Sequence, residues 1–191
     1  MNTKSIMIVG VGGQGTLLAS RLLGAALLSE GYDVKVSEVH GMSQRGGSVV
    51  TYVKYGDKVA SPIVQKGQAD LILAFEQLEA ARWLPFLKTD GTMIANTQQI
   101  DPMPVVMGVA EYPEGVIDAL RKAGADVEEI DALPLAVEAG NSKAVNVVLI
   151  GAMAKNMQIV EKEKWIKALK ESVPPKFLEL NLKAFEMGYN I

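Results

Sequence analysis

Residues 5–31 read SIMIVGVGGQGTLLASRLLGAALLSEG, and this stretch decides the fold class. It begins with a short apolar run, which is typical of a strand that is buried on both faces. A cluster of glycines follows, and leucines and alanines then recur at the spacing of one helix face. Gly31 supplies a helix stop. The stretch therefore predicts a strand over residues 5–9, a tight glycine turn, and a helix from about Gln14 to about Glu30.

The remainder of the chain predicts an alternation of strands and helices. Strand patterns occur at residues 33–38, 48–55, 70–75, 92–96, 105–109 and 127–131, and helical patterns at residues 77–87 and 114–123. Gly56 and Asp57 are a plausible hairpin turn into residues 58–60. From about residue 143 only helical patterns remain, at residues 143–157, 161–172 and 175–187. We therefore expect one α/β domain over residues 1–191, with a Rossmann-like, mainly parallel sheet, one antiparallel hairpin and a C-terminal helical section.

The composition excludes several kinds of site. The chain has no cysteine, so disulfides, thiolate-bound zinc and ordinary iron–sulfur clusters are impossible. It has a single histidine, His40, so a site with several histidine ligands is also excluded. A net charge of -3 and the absence of a Lys/Arg run argue against nucleic-acid and membrane partners. No apolar stretch reaches the ~20 residues that span a bilayer, and we expect a cytoplasmic protein.

The glycine cluster has the spacing of a phosphate-binding turn. Gly10, Gly12 and Gly15 fit G-x-G-x-x-G between the first predicted strand and helix. Glycines there let a phosphate approach free backbone N–H groups, and the helix dipole favours an anion. Three interpretations stay open: phosphate or nucleotide binding, close packing of the helix, and a subunit contact. A dinucleotide site also needs an acidic residue at the end of the second strand, and Glu38 has that position.

A second glycine-rich loop follows the second strand. Residues 40–47 read HGMSQRGG and combine three glycines with an arginine, a glutamine, a serine and the single histidine. Segments that leave the carboxyl ends of parallel strands gather at one edge of the sheet, so the two loops should meet there. The guanidinium of Arg45 could bind a phosphate or carboxylate, or pair with Glu38. The alternative is an ordered loop whose polar side chains bond to the backbone, and for His40 we favour such a structural role.

A third segment precedes the last group of helices. Asn141, Ser142 and Lys143 lie directly before a helix that contains Asn146. Asn or Ser at this position is a natural helix cap, and capping alone is one interpretation. The other is that Lys143 and Asn146 face the two glycine loops.

These three segments together resemble the gamma-type domain of the pyruvate and other 2-oxoacid:ferredoxin oxidoreductases. The matching residues are 10–15 after the first strand, 40–47 after the second, and 141–151 leading into the late helices. The resemblance covers nearly the whole chain, and the second segment is its most specific part. A free-standing chain of this length is most similar to the beta subunits of the indolepyruvate enzymes.

The resemblance implies a role in the oxidative decarboxylation of an aryl 2-oxoacid to its acyl-CoA, with reduction of ferredoxin. In this family thiamine diphosphate with Mg²⁺ forms the carbanion, iron–sulfur clusters take the electrons, and coenzyme A is the co-substrate. This chain lacks cysteine and the Gly-Asp-Gly…Asn-Asn signature of thiamine enzymes. We therefore expect thiamine diphosphate, Mg²⁺ and the clusters on a large partner subunit, with no cofactor held and no activity shown by this chain alone.

Two other functions stay open, namely a stand-alone nicotinamide- or flavin-dependent enzyme and a nucleotide-binding protein without catalysis. In the complex the chain would meet the large subunit and, through it, ferredoxin; alone it should form a homo-oligomer. We expect no catalytic residue and no metal ligand in this chain. The residues expected to contact a cofactor or co-substrate are Gly10, Gly12, Gly13, Gln14, Gly15, Thr16, Ser43, Gln44, Arg45, Gly46, Gly47, Asn141, Lys143 and Asn146.

Overall fold

The structure is a computed structural model that describes residues 3–40 and 46–191, with the side chain of His40 left out. Six strands form one sheet. Their bounds are β1 Lys4–Val11, β2 Asp33–His40, β3 Ser48–Gly56, β4 Ala69–Ala74, β5 Leu87–Asn96 and β6 Asp126–Ile130. The six strands lie at six of the predicted positions, with shifts at their ends, whereas the strands predicted at residues 58–60 and 105–109 do not form.

The strand order is β2-β3-β1-β4-β5-β6. Strands β1, β4, β5 and β6 are parallel to one another, whereas β3 is antiparallel to both β1 and β2. Strand β2 thus runs in the same direction as β1 but is separated from it by β3. The expected Rossmann-like, mainly parallel sheet is confirmed, with β2 and β3 as its antiparallel hairpin.

Eight α-helices and three short 3-10 turns occur in the described residues. The helices are α1 Thr16–Ser29, α2 Gln77–Trp83, α3 Met103–Val106, α4 Val116–Lys122, α5 Ala132–Ala139, α6 Val145–Met157, α7 Lys162–Ser172 and α8 Leu178–Tyr189. The C-terminal helical section expected from about residue 143 is therefore present as α6, α7 and α8.

Both faces of the sheet are covered by helices. Successive side chains of a strand point to opposite faces. In β1, Ile6 and Ile8 join the core made with α1 and α5 to α8, whereas Met7 and Val9 join the core made with α2 and α4. Burial on both faces explains why the strands read as continuous apolar runs rather than as alternating patterns.

Helices α6 and α8 approach each other through two glycines. A methyl group added at Gly188 would lie 1.9 Å from the carbonyl oxygen of Val148, and one at Gly151 would lie 2.2 Å from that of Phe185. No side chain fits at either position, so the two helices pack backbone against backbone. This contact fixes the position of α6, whose first turn belongs to the candidate site.

Two sequence predictions were wrong. The turn at Gly56 and Asp57 does not lead into a strand, because β1 and β2 already occupy both edges of β3. Residues 105–109 form no strand either: the edge of β5 is taken by β6, and Val105 and Val106 belong to the short helix α3, which has Pro104 in its first turn. Helix α5 was not predicted, and Pro134 in its first turn is compatible with a helix because the N–H that proline lacks has no partner there.

Candidate functional site

The two glycine loops meet at the carboxyl edge of the parallel strands, as the sequence predicts. The N–H of Gly12 donates a 2.9 Å hydrogen bond to the carbonyl oxygen of Gly47. Just beyond, the hydroxyl of Ser48 donates to the carboxylate of Glu79. The end of the second loop is therefore attached both to the first loop and to α2.

Part of the second predicted segment lies outside the described residues. This applies to Ser43, Gln44 and Arg45, so their expected contacts stay predictions. Gly46 is described and has a φ of +79°, a left-handed conformation that favours glycine.

The first glycine loop leaves the start of α1 without a side-chain cap. Gly15 is the N-cap residue, with a φ of +85°, and no side chain in the described part of the chain caps the helix there. The first N–H groups of a helix have no partner within the helix, so they are left for water or a ligand. Gly13 has a φ of +100°, and a methyl group added to it would meet nothing within 4 Å. The loop therefore offers N–H groups and open space at Gly13, which together suit an anion.

The side chain of Gln14 joins the ends of three strands. Its Oε1 accepts a 2.7 Å hydrogen bond from the N–H of Val11, the last residue of β1. Its Nε2 donates to the carbonyl oxygen of Phe75 at 3.0 Å and to Oε1 of Gln98 at 3.1 Å, at the ends of β4 and β5. These bonds give Gln14 a structural role that the sequence did not predict, and they fix the conformation of the loop. Thr16, the first residue of α1, is buried.

The third predicted segment lies against the first loop. The side chain of Asn141 accepts a 2.9 Å hydrogen bond from the N–H of Lys143, so Asn141 caps the 3-10 turn at Ser142–Ala144 that precedes α6 rather than α6 itself. Asn146, in the first turn of α6, is so close to Gly15 that a methyl group added to Gly15 would lie 2.4 Å from its Nδ2. The structure thus brings residues 10–16 and residues 141–146 together.

These segments line a cleft of about 700 Å³. Residues 12–15 form one wall, and Ser142, Lys143 and Asn146 form another. A second groove, about 420 Å³ and mainly apolar, lies beside it, and Lys143 and Asn146 line both. The ammonium of Lys143 is exposed, so it is a mobile positive charge at the junction of the two cavities.

The cleft also has lining residues that the sequence analysis missed. Gln98 and Ile100 follow β5, and Leu133 belongs to the unpredicted helix α5. A usable signal was present for the first two, because the polar residues Thr97, Gln98 and Gln99 come directly after a predicted strand. The rule that placed the two glycine loops at the carboxyl edge applies equally to them.

Two buried carboxylates, Glu76 and Glu79, form hydrogen bonds with the loops at the carboxyl edge of the sheet. Glu76 accepts hydrogen bonds from the N–H of Glu79 at 2.9 Å, from the N–H of Ile100 at 3.2 Å, and from the hydroxyl of Tyr112. Burial raises the pKa of Tyr112, and its hydrogen bond to Glu76 raises it further. Glu79 in turn accepts from Nε of Arg82 at 3.0 Å. These bonds account for both carboxylates as structural groups, because each buried charge has several donors.

Glu38 is not placed as a dinucleotide site requires. Because β3 lies between β1 and β2, Glu38 is two strand spacings from β1, roughly 10 Å rather than about 5 Å. Its Oε1 accepts a 2.6 Å hydrogen bond from the hydroxyl of Ser20 on α1. This arrangement favours a structural role for Glu38 over contact with a ribose.

Among the described residues, no three His, Asp or Glu side chains are grouped closely enough to hold a metal ion. Within the same residues no helix is long and apolar enough to cross a membrane.

Comparison with known proteins matches the whole chain to a single kind of enzyme component. The sequence pattern of the family "Pyruvate ferredoxin/flavodoxin oxidoreductase" matches residues 5–191. Indolepyruvate oxidoreductase subunit IorB of Thermococcus kodakarensis is 46% identical, over 98% of this chain and 95% of its own length. The subunit of the same name from Pyrococcus horikoshii is 45% identical, with the same coverage.

More distant relatives and a solved structure agree. The 2-oxoglutarate synthase subunit KorC of Methanothermobacter thermautotrophicus is 32% identical over 97% of this chain and 93% of its own length. The gamma subunit of a keto/oxoacid ferredoxin oxidoreductase from Geobacter sulfurreducens superposes with a TM-score of 0.73 at 27% identity, covering 98% of this chain and 96% of that one. Neither a stand-alone nicotinamide or flavin enzyme nor a non-catalytic nucleotide-binding protein is supported by these similarities.

Proposed function

The chain belongs to the pyruvate ferredoxin/flavodoxin oxidoreductase family, and on that premise we propose that it is the small subunit of an indolepyruvate:ferredoxin oxidoreductase. The observation that carries the proposal is the full-length similarity to subunits named for indolepyruvate, at 46% and 45% identity. The relative named for 2-oxoglutarate is 32% identical over a similar length. The difference favours an aryl 2-oxoacid as the substrate of the assembled enzyme.

We propose that the iron–sulfur clusters and thiamine diphosphate are bound by the larger partner subunit. Iron–sulfur clusters need thiolate ligands, and this chain has no cysteine. Thiamine diphosphate is held through Mg²⁺ in this family, and this chain lacks the Gly-Asp-Gly…Asn-Asn signature that binds the pair in thiamine enzymes. The donor groups of this chain therefore do not fit these cofactors.

Coenzyme A is the ligand that we propose for the cleft. A volume of about 700 Å³ is within the range of small-molecule sites. The N–H groups at the start of α1 and the ammonium of Lys143 would bind phosphate, and the open space at Gly13 permits close approach to the backbone. Arg45, in the adjoining loop, would add a guanidinium. In this proposal the chain binds and orients the co-substrate while the partner subunit performs the oxidation.

Lys143→Gln in the reconstituted complex tests the proposal. Loss of a charge-assisted hydrogen bond costs about 1.5–3 kcal/mol, so the KM for coenzyme A should rise about ten- to a hundred-fold, with the KM for indolepyruvate unchanged. Arg45→Ala should act in the same direction.

Lys122→Gln is the matched control. Lys122 is an exposed lysine at the end of α4, just before β6 begins, and it therefore lies at the opposite edge of the sheet. An unchanged KM for coenzyme A in the Lys143 and Arg45 variants, with normal assembly, would refute the ligand role of the cleft. Failure of the chain to form an active complex with any thiamine-bearing partner would refute the subunit role itself.

A further inference from the structure

One carboxylate holds both ends of an exposed loop. Oε1 of Glu76 accepts hydrogen bonds from the N–H of Ile100 and from the hydroxyl of Tyr112. Residues 100–112, here called the 100–112 loop, leave and return to the body of the protein at this point. Because Glu76 is 1% exposed, the loop is anchored to a buried group rather than to the surface.

The middle of this loop is apolar and exposed. Its side chains are between 62% and 73% exposed at Met103, Val106, Met107 and Val109. Single exposed apolar residues are ordinary, but Met103, Val106 and Met107 have the i, i+3, i+4 spacing of one face of α3. Grouped exposed apolar side chains of this kind are typical of an interaction site. Methionine is also frequent at protein-binding surfaces because its flexible thioether adapts to the partner.

Acidic residues flank this apolar patch along the sequence. Residues 89–120 contain five acidic side chains and no lysine, arginine or histidine. Two of the five, Asp101 and Glu111, are exposed and lie on either side of the apolar patch. A complementary partner surface must therefore combine an apolar groove with a rim of basic side chains.

We propose that the 100–112 loop is the element by which this chain binds the large subunit, with Met103, Val106 and Met107 in an apolar groove that lysine and arginine side chains surround. The proposal rests on the function proposed above, which supplies the large subunit. The loop begins at Ile100, which also lines the cleft, so this docking would bring the large subunit beside the proposed coenzyme A site.

A second copy of this chain is a poorer occupant of the same surface. In a symmetric dimer through the loop, Asp101 and Glu111 of one copy would approach the same carboxylates of the other. Like charges brought together at an interface disfavour association. The acidic rim therefore selects a basic partner over self-pairing at this site.

The experiment is a binding titration between the labelled chain and the purified thiamine-bearing large subunit. Val106→Asp should raise the Kd about ten- to a hundred-fold, because burial of one valine side chain typically contributes about 1.5–3 kcal/mol. Reversal of both rim charges, Asp101→Lys with Glu111→Lys, should also weaken binding and should lose its effect at high salt.

Leu28→Asp is the matched control, because Leu28 is 60% exposed in the last turn of α1, away from the loop. It should change the Kd less than about twofold, and circular dichroism should show all variants folded. If the unmodified chain binds and Val106→Asp binds equally well, the docking inference is overturned while the proposed function stands. If Val106→Asp abolishes only self-association, the inference is overturned in favour of a second copy. If the unmodified chain does not bind the large subunit, the proposed function fails.

Discussion

Replacement of Gly15 by alanine should destabilise the protein through two separate effects. The added methyl group would lie 2.4 Å from Nδ2 of Asn146, about 1 Å closer than an ordinary contact. Rotation of the Asn146 amide can move Nδ2 away, but Cγ and Cβ of Asn146 would still lie 3.2 Å and 3.4 Å from the methyl group. The overpacking cost should therefore be at the lower end of about 1–3 kcal/mol. A φ of +85° costs an alanine about 1–2 kcal/mol more. The free energy of unfolding, measured by urea denaturation, should therefore fall by an amount toward the lower end of about 2–5 kcal/mol in total.

Two further variants separate these effects. Gly13→Ala carries backbone strain alone, because its φ is +100° and its methyl group meets nothing within 4 Å; it should cost about 1–2 kcal/mol. In an Asn146→Ala background the clash is removed, so Gly15→Ala should also cost about 1–2 kcal/mol there. The reasoning is refuted if Gly15→Ala costs no more than Gly13→Ala when Asn146 is intact, since the contact with Asn146 would then add nothing to the backbone strain.

Two other variants test the strand ends and the opposite edge of the sheet. Gln14→Ala removes a side chain that bonds the ends of three strands, so it should lower the free energy of unfolding by about 1–3 kcal/mol. Gln99 is exposed, so the control Gln99→Ala should change the free energy of unfolding by less than about 0.5 kcal/mol. Equal effects of the two variants would contradict the hydrogen bonds of Gln14. Burial alone would raise the pKa of Asp70, but hydrogen bonds from Lys88, the N–H of Ser5 and Lys4 hold it below its ordinary 3.8. The charged form therefore stabilises the fold above pH 3.8. Asp70→Asn should lower the free energy of unfolding, measured by urea denaturation, by its full amount at pH 7 and by less as the pH falls below 3.8. An equal loss of free energy at pH 3 and pH 7 would argue against this role.

The sequence predicts this fold well wherever the signal is local. Strand β1, the glycine turn and α1 lie within one stretch, and their boundaries differ from the prediction by only a few residues. The order of the strands depends on long-range pairing instead. Nothing in the local pattern at residues 48–55 indicates that β3 lies between β1 and β2, and this insertion is what displaces Glu38 from a ribose-binding position.

The candidate site was predictable in position but not in detail. The rule that loops after parallel strands share one edge brought residues 10–16 and Gly47 together correctly. The hydrogen bonds of Gln14 could not be predicted, because they depend on the three-dimensional positions of Phe75 and Gln98. Helix α5 was missed, although it is the element that returns the chain to the cleft before Asn141.

The contact between Gly151 and Gly188 also sets an order in time during synthesis. Helix α6 is made before α8, and the backbone surface that it buries has no partner until residue 188 has left the ribosome. Residues 151 and 188 are 37 positions apart, so at about 5–20 residues per second this delay is roughly 2–7 seconds. Throughout that interval the first turn of α6, and with it Asn146, lacks the helix that holds it in place, so the cleft is among the last parts of the protein to reach its final shape.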